Sequence, residues 1–118
     1  MPTDSDCIFC KIVNKQIPAR EVYRDAGVIA IEDINPQAPV HVLVIPVEHG
    51  RNLHDFAALA GPERLGALLH RAGEIGRTLG PGGYRVVMNE GSDGGQTVSH
   101  LHAHVLAGRP MGWPPFAP

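Results

Sequence analysis

Three alternating histidines are the residues of this sequence best suited to chemistry. His100, His102 and His104 are separated by single apolar residues, Leu101 and Ala103. Successive side chains of a β-strand point to opposite faces, so this alternation predicts a strand with all three imidazoles on one face. Neutral imidazole is both a common metal ligand and a competent nucleophile near pH 7. The pattern by itself therefore indicates either a three-histidine metal site or a nucleophilic histidine with two supporting imidazoles.

A glycine-rich segment precedes the histidines. Gly91, Gly94 and Gly95 lie among polar residues, and the hydroxyl of Thr97 follows them. The backbone N–H groups of such a loop can surround an oxyanion, as they do in phosphate-binding loops. A phosphate site next to the imidazoles favours the nucleophilic histidine over the three-histidine metal site.

The histidine segment, His-Leu-His-Ala-His-Val-Leu-Ala, resembles the motif of the histidine triad (HIT) family, in which histidines alternate with apolar residues. The preceding segment, Asn-Glu-Gly-Ser-Asp-Gly-Gly-Gln-Thr-Val, is similar to that of the Hint branch, the nucleoside phosphoramidate hydrolases. The resemblance runs from Cys7 to about Pro115, and Thr97 stands where the family commonly has serine. It implies a hydrolase that cleaves purine nucleoside 5′-phosphoramidates or related adenylates through a covalent nucleotidyl-histidine intermediate.

Two other functions remain open at this point. A dinucleoside polyphosphate hydrolase would share the fold, although Trp113-Pro114-Pro115 resembles the C-terminal segment of the Hint branch and argues against it. A nucleotide-binding interaction module would share the binding residues without depending on the nucleophile. In each case the resemblance implies a small purine nucleotide as the ligand.

The resemblance assigns three histidines to catalysis. His102 is the expected nucleophile, and its second ring nitrogen is expected to bind a backbone carbonyl, which the family places at the third histidine of the motif. His104 is expected to donate a hydrogen bond to a phosphoryl oxygen. His41 comes from another predicted strand and is expected beside the nucleophile, in the proton-handling network. The alternative for His41 is a histidine packed at the start of a strand.

Further residues match the nucleotide-binding positions of the family. Asn89, Gly95 and Thr97 are expected to donate to phosphate oxygens together with His104. Asp33 matches the acid that binds the two ribose hydroxyls, and the alternative is an acidic residue that caps a turn. Six apolar residues correspond to the cleft that holds the base, and from the sequence they are equally good core residues: Ile8, Phe9, Ile12, Ile31, Ile34 and Leu43.

The only two cysteines, Cys7 and Cys10, form a Cys-x-x-Cys pair, which is either half of a zinc site or a pair of reduced thiols. The resemblance to zinc-containing bacterial HIT proteins implies that His49 and His100 complete a four-ligand set. Such a closed set would hold a structural Zn²⁺ that attaches the N-terminal helix to the sheet. No metal is expected in the chemistry itself, which imidazoles and backbone dipoles would carry out.

The composition is that of one globular domain covering residues 1–118. Hydrophobic residues make up 43% of the chain and charged residues 19%. The net charge of −2 offers no basic surface for duplex nucleic acid. No apolar run approaches the roughly 20 residues that span a membrane. The N-terminal segment is polar and acidic, unlike a signal peptide, so we expect a cytoplasmic protein that binds neither nucleic acid nor membrane.

Hydrophobic periodicity and turn residues predict a short helix, three strands, a long helix and two strands. The predicted elements are a helix at 7–13 capped by Asp4, Ser5 or Asp6, strands at 21–24, 28–32 and 41–46, a short helix near 53–59, a helix from Pro62 to Leu79, a strand at 84–88 and the histidine strand. This order predicts an antiparallel α+β sheet with its helices on one face. Residues 109–118 contain four prolines and are expected to form a tail without helix or central strand. The resemblance implies the HIT fold, with a five-stranded antiparallel sheet and two helices per protomer, paired into a ten-stranded homodimer.

Overall fold

The computed structural model describes residues 6–115, which form one α+β unit. Its elements in chain order are α1 (Ile8–Val13), β1 (Glu21–Arg24), β2 (Val28–Glu32), β3 (Val40–Pro46), α2 (Leu53–Leu79), β4 (Tyr84–Val87) and β5 (Ala103–Ala107). The predicted succession of helices and strands is confirmed, and α1, β3 and β4 differ from their predicted bounds by a single residue. Among these described residues, no helix has the length and apolar character that crossing a membrane requires.

The five strands form one antiparallel sheet in the order β1-β2-β3-β5-β4. The central strand, β3, pairs with β2 on one side and with β5 on the other. The β3–β5 register places His41 opposite Leu106 and Leu43 opposite His104. The sheet therefore brings histidines from two distant segments of the chain to neighbouring positions near its centre.

The two faces of the sheet are covered by different helices, so the prediction that both helices lie on one face is wrong. Val28 and Ala30 of β2 pack in the core with α2, whereas Ile29 and Ile31 pack in a second core with α1. Successive strand side chains point to opposite faces, and these four consecutive residues are all buried. An uninterrupted apolar run of this kind requires cover on both faces.

α2 contains a kink between its first turns and its long C-terminal part. Gly61 has φ 82° and ψ 171°, which are not helical values, and Pro62 follows it. Glycine adopts a positive φ without steric cost, and proline suits the first turn of a helix because that turn needs no N–H from it. The kink separates the two helical segments that the sequence predicts, near 53–59 and from Pro62 onwards.

The N-cap of α1 is a cysteine and not one of the predicted acidic or hydroxyl residues. The sulfur of Cys7 accepts the backbone N–H of Cys10 at 3.3 Å. Cys7 therefore occupies the N-cap position predicted for Asp4, Ser5 or Asp6, and the first two of these lie outside the described residues.

The regular strand β5 contains only the last histidine of the triad, whereas the sequence predicts a strand through all three. His100 and His102 precede the strand, because the backbone there leaves the ladder and Leu101 donates its N–H to the Gly50 carbonyl at 2.7 Å. The predicted alternation of faces is nevertheless present. Leu101 packs in the core under α2, while the rings of His100 and His102 contact Phe9 of α1 on the opposite face.

The C-terminal tail contains neither helix nor strand between residues 108 and 115, as predicted from its prolines, and residues 116–118 lie outside the described part. Arg85 of β4 holds it. The Arg85 guanidinium donates to the Gly112 carbonyl and lies 5.9 Å from the centre of the Trp113 ring. The tail therefore lies against β4, one of the two edge strands of the sheet.

Candidate functional site

Both cysteines and two histidines converge on one point beside α1. The sulfur atoms of Cys7 and Cys10 and the Nδ1 atoms of His49 and His100 all lie within 4.8 Å of one another. The two Nδ1 atoms are 3.0 Å apart, and they lie 3.4 and 3.5 Å from Cys10 Sγ. Cys7 Sγ is 3.3 Å from His100 Nδ1. These are the four residues for which the resemblance implies a metal site.

The chemistry of this donor set fits Zn²⁺. A tetrahedral ion with two thiolates and two imidazoles separates its ligand atoms by about 3.3–3.8 Å, given Zn–S near 2.3 Å and Zn–N near 2.0–2.1 Å. The nitrogen–sulfur distances here fall in that range. His100 donates its Nε2–H to the Pro46 carbonyl at 2.9 Å, which leaves Nδ1 unprotonated on the side of the cysteines. Burial lowers the pKa of His100 to about 4, against the opposing effect of its bond to Pro46, so the ring is neutral at pH 7.

The three histidines of the motif do not form a common metal site. Among the described residues, two groups of side chains could hold a metal ion. One is the cysteine–histidine set, and the other consists of Asp33, His41 and His104. His102 belongs to neither group. The triad is therefore divided, with His100 in the metal cluster and the other two histidines available for different chemistry.

His102 has the geometry of a nucleophile. Its Nδ1 lies 2.8 Å from the carbonyl oxygen of His100, so Nδ1 carries the proton and Nε2 keeps its lone pair. The expectation that the third histidine of the motif supplies this carbonyl is wrong, because the ring folds back towards the residue two positions earlier. The Phe9 ring stands edge-on to His102, with ring centres 5.0 Å apart. Burial lowers the pKa of His102, so the ring stays neutral at pH 7, with its single proton on Nδ1.

A second pair of imidazoles lies next to the nucleophile. The Gln37 N–H donates to Nδ1 of His41 at 3.0 Å, which assigns the His41 proton to Nε2. That Nε2 lies 2.9 Å from Nδ1 of His104 and 3.4 Å from Oδ2 of Asp33. With Nδ1 of His104 accepting this proton, Nε2–H of His104 is left to donate to a ligand. His41 thus contacts His104, which in turn packs against His102.

The pKa of His104 is lowered to about 4, chiefly by burial and then by its neighbours His102 and His41, while Asp33 acts in the opposite direction. The ring is therefore neutral at pH 7 and serves as a directional hydrogen-bond donor. The His102 ring with its free lone pair and the His104 ring as a neutral donor lie side by side, with ring centres 4.9 Å apart. This arrangement can attack phosphorus and supply a hydrogen bond to the group that leaves.

Asp33 caps a turn, which is the alternative role considered for it. Its Oδ1 accepts the N–H of Asn35 at 2.8 Å, which caps the turn after β2. Its Oδ2 faces His41, and its side chain is only partly exposed. One carboxylate oxygen therefore stabilises the loop while the other is directed towards the histidines.

The apolar residues expected to hold a base fall into two groups. Four are buried in the core on the α1 face of the sheet, which is also the face of the histidine rings: Phe9, Ile12, Ile31 and Leu43. The other two residues are exposed, Ile8 with a relative accessibility of 47% and Ile34 with one of 101%. Ile34 follows Asp33 directly, so it is the member of the set best placed to contact a ligand beside that carboxylate.

The glycine loop is a compact turn. A Cβ at Gly94 would come within 2.2 Å of the Glu90 carbonyl oxygen, so only glycine fits there. Gly95 has φ +82°, and its N–H donates to the Ser92 carbonyl at 3.1 Å. This N–H thus closes the turn, whereas the resemblance implies that it donates to a phosphate. The remaining expected donors lie at either end of the loop, half-buried and exposed respectively: Asn89 and Thr97.

Several groups that position the site have no clear signal in the sequence. Gln96 donates from its side chain to the carbonyls of Arg51 and Val98, at 2.6 and 3.0 Å, and so ties the loop to the segment before α2. The only sequence signal for Gln96 is its place inside the segment that resembles the Hint branch. The carbonyl of Pro46 and the N–H of Gln37 are backbone groups, and no residue type reveals them.

The chain is similar in sequence and in structure to several known proteins. The family model described as HIT domain matches residues 14–111. The chain is 48% identical over 114 residues to the 14 kDa zinc-binding protein of Zea mays, covering 95% of this chain and 89% of the relative. It is 43% identical over 116 residues to adenylylsulfatase HINT1 of Arabidopsis thaliana, covering 97% and 79%. A crystal structure of a HIT family hydrolase from Legionella pneumophila Philadelphia 1 matches with a TM-score of 0.88 and 44% identity, over 93% of this chain and 99% of that one.

Proposed function

This chain belongs to the HIT domain family, and we propose that it is a hydrolase of purine nucleoside 5′-phosphoramidates or related adenylates that works through a covalent nucleotidyl intermediate on His102. The observation that carries the proposal is the tautomer of that ring. The His100 carbonyl holds the proton on Nδ1, and the buried, neutral ring offers Nε2 as a lone pair. Relatives named as a HIT family hydrolase and an adenylylsulfatase support a hydrolase of this kind.

The proposed reaction has two displacements at phosphorus. In the first, Nε2 of His102 bonds to phosphorus and the bond from phosphorus to the leaving group breaks. A leaving amine takes up one proton, which Nε2–H of His104 delivers. In the second, water attacks phosphorus, the bond to Nε2 breaks, and the proton released by water returns to His104. The products are a nucleoside monophosphate and the free amine, and both histidines regain their starting states.

His41 and Asp33 support the proton transfer from behind. As Nε2 of His104 gives up its proton, Nδ1 of the same ring becomes more basic, and the hydrogen bond from Nε2 of His41 strengthens. The Asp33 carboxylate at 3.4 Å stabilises the donor end of this chain. We also assign ribose binding to Asp33, and we assign the phosphate oxygens to Asn89 and Thr97, which lie at the two ends of the glycine loop.

We further propose that Cys7, Cys10, His49 and His100 bind Zn²⁺, which the distances within the set and the name of the maize relative support. The bound ion supplies a structural cross-link between α1 and the segments after β3 and before β5. Four protein ligands leave no position for a substrate, so catalysis remains with the other histidines. We expect the protein in the cytoplasm, where thiols stay reduced and able to bind metal.

We infer that the active protein is a homodimer. β4 lies at the edge of the sheet, and Val86 within it is 37% exposed. An edge strand presents unpaired N–H and C=O groups and is usually paired or covered. Pairing of β4 with its copy would give ten strands. Light scattering at micromolar concentration should report twice the mass of the chain, and a monomer would contradict this inference.

The covalent intermediate gives the direct test of the proposed function. Rapid denaturation during turnover of an adenosine 5′-phosphoramidate, followed by intact mass measurement at neutral pH, should detect one nucleotide bound to the protein. The His102→Ala protein should carry none, and the His70→Ala protein, altered at an exposed histidine, should carry as much as the wild type. Turnover without any adduct or burst would overturn the covalent mechanism. A higher kcat/KM for dinucleoside polyphosphates would favour the alternative hydrolase.

A further inference from the structure

A cavity of about 290 Å³ adjoins the catalytic histidines. Its lining includes Leu106, which is the next residue after His104 on the same face of β5. Leu106 pairs with His41 on β3 and with Arg85 on β4, so these three side chains share that face. Neighbouring positions on one face of a sheet are roughly 5–7 Å apart. The cavity therefore begins one side-chain position beyond the His41–His104 pair.

Two arginines line this cavity without a carboxylate partner. Within residues 6–115, no carboxylate oxygen lies within 4.0 Å of a side-chain nitrogen of Arg85 or Arg109, although both arginines line the cavity. Five other arginines each form an ion pair with an acidic residue: Arg20, Arg24, Arg51, Arg64 and Arg71. The cavity thus concentrates two positive charges that the described protein does not neutralise.

The two guanidinium groups are positioned differently. Arg85 is half-buried, and its contacts with the Gly112 carbonyl and the Trp113 ring fix its direction. A guanidinium has five N–H donors, so the bond to one carbonyl leaves others for a ligand. Arg109 is exposed and donates to the carbonyl of its neighbour Pro110 at 3.2 Å. The first arginine is a preorganised donor, and the second can turn towards a bound anion.

The position of the cavity relative to His102 assigns it to the leaving group. In-line displacement places the leaving group on the side of phosphorus opposite the attacking nitrogen. On the His100 side, Phe9 closes the site, because its buried ring stands edge-on against both imidazoles. In the direction away from His100, the same face of β5 continues past His104 to Leu106, which lines the cavity. A leaving group that departs past the proton donor therefore enters the neighbourhood of the two arginines.

We propose that Arg85 and Arg109 form a subsite that selects substrates with an oxyanion, such as a carboxylate, on the leaving group. This inference rests on the proposed function, since a leaving group exists only if His102 takes up the nucleotidyl group. Guanidinium groups bind carboxylate and related oxyanions through paired N–H donors. Each arginine contributes about a threefold to fivefold preference, which is the size expected for a partly exposed ion pair.

A matched pair of substrates tests the subsite. One is the adenosine 5′-phosphoramidate of glutamate α-amide, and the other is the same compound made with glutamine α-amide, which differs by one side-chain charge. The wild type should show the higher kcat/KM for the glutamate compound, and this preference should shrink as ionic strength rises. Arg85→Gln and Arg109→Gln should each lower the preference by about threefold to fivefold. Arg109→Glu should abolish or reverse it.

Arg77→Gln is the control, because it removes an exposed arginine on α2 that does not line the cavity. It should leave the preference unchanged. Arg85→Gln also removes the contacts that hold the tail, so it could displace the tail as well as remove a charge. Arg109→Glu tests the charge separately, because the described contacts of Arg109 do not include Gly112 or Trp113. The same ratio of kcat/KM between the glutamate and glutamine compounds in the wild type, Arg109→Glu and Arg77→Gln would overturn the subsite. If the nucleotide adduct still forms on His102, the proposed function is unaffected by that result. Absence of the adduct in the wild type would instead overturn the proposed function.

Discussion

Two proposed clusters use the same residue type with opposite nitrogens. We call them the metal cluster, formed by Cys7, Cys10, His49 and His100, and the catalytic cluster, formed by Asp33, His41, His102 and His104. His100 donates Nε2–H to the Pro46 carbonyl and keeps Nδ1 free for the cysteine side. His102 donates Nδ1–H to the His100 carbonyl and keeps Nε2 free for a substrate. Two histidines of one motif thus differ in role because different backbone carbonyls hold different ring nitrogens. In each ring, the carbonyl that accepts the N–H decides which ring nitrogen keeps its lone pair. The spacing of the motif does not decide this.

The two clusters also meet at one residue. The His100 ring belongs to the metal cluster, while its carbonyl fixes the tautomer of the nucleophile. Phe9 adds a second link, since it lies between Cys7 and Cys10 in the sequence and packs against both rings. The four changes below separate the two regions or expose their coupling, beginning with the largest expected effect.

Removal of the nucleophile should separate the clusters most strongly. His102→Gly should lower kcat by about 10⁴-fold or more, because no other group at the site has a free lone pair held in the same position. Nucleotide affinity and metal content should remain near those of the wild type. Free imidazole should restore part of the rate, measured as product formation at saturating substrate. Residual activity within about tenfold of the wild type would contradict the role of His102.

Loss of a metal ligand should act mainly on stability. Purified protein prepared without chelators should contain close to one zinc per chain by metal analysis. Cys10→Ser should remove at least about 2 kcal/mol from the free energy of unfolding, which lowers Tm by several degrees, because a buried cross-link is lost. The fractional loss in kcat below the transition should be much smaller. A Tm of Cys10→Ser equal to that of the wild type, together with absence of zinc in the wild type, would contradict the proposed zinc site.

Removal of the metal without mutation tests the coupling through His100. Chelation should loosen the His100 ring and thereby its carbonyl, so the fraction of His102 protonated on Nδ1 should fall. Nitrogen NMR of the imidazoles measures that fraction directly. We expect kcat to fall by about tenfold at most, which corresponds to about 1.4 kcal/mol. An unchanged His102 spectrum in metal-free protein would show that the two clusters are independent.

The last of the four changes concerns protonation of His104 in the catalytic cluster. His104 faces His41 from β3, His102 from the segment before β5 and Asp33 from the loop after β2, and its pKa is lowered from 6.5 to about 4. Between these two values the unfolded chain binds a proton at this residue that the folded protein does not, so falling pH destabilises the folded state. The effect is bounded by about 1.4 kcal/mol per pH unit for one proton.

Urea unfolding at several pH values measures this dependence. His104→Gln should give a shallower loss of stability between pH 6.5 and pH 4 than the wild type, because the depressed titration is gone. His54→Gln alters an exposed histidine and should keep the wild-type slope. Identical slopes in all three proteins would show that His104 takes up its proton in the folded state as readily as in the unfolded chain.

Local patterns carry much of what could be predicted here. The run Val28–Glu32 and the turn before it were sufficient to place β2, and Pro62 was sufficient to place the start of the long helical segment. The alternation around Leu101 correctly predicts which residues share a face, even though the regular strand begins only at Ala103. These features depend on side-chain periodicity and on proline geometry, which act over a few residues.

The sequence by itself determined the succession of elements, the shared face of the histidines and, through family resemblance, the four residues that converge beside α1. Only the tertiary structure decided that α1 and α2 cover opposite faces, that His41 contacts His104, and that the His100 carbonyl holds the His102 ring. The physical reason is the range of the interactions. Periodicity depends on residues that are neighbours in the sequence. The carbonyl of Pro46 binds the His100 ring from a distant segment, and the N–H of Gln37 binds the His41 ring from a loop that folds back. Backbone groups are the same at nearly every position, so only folding assigns their partners.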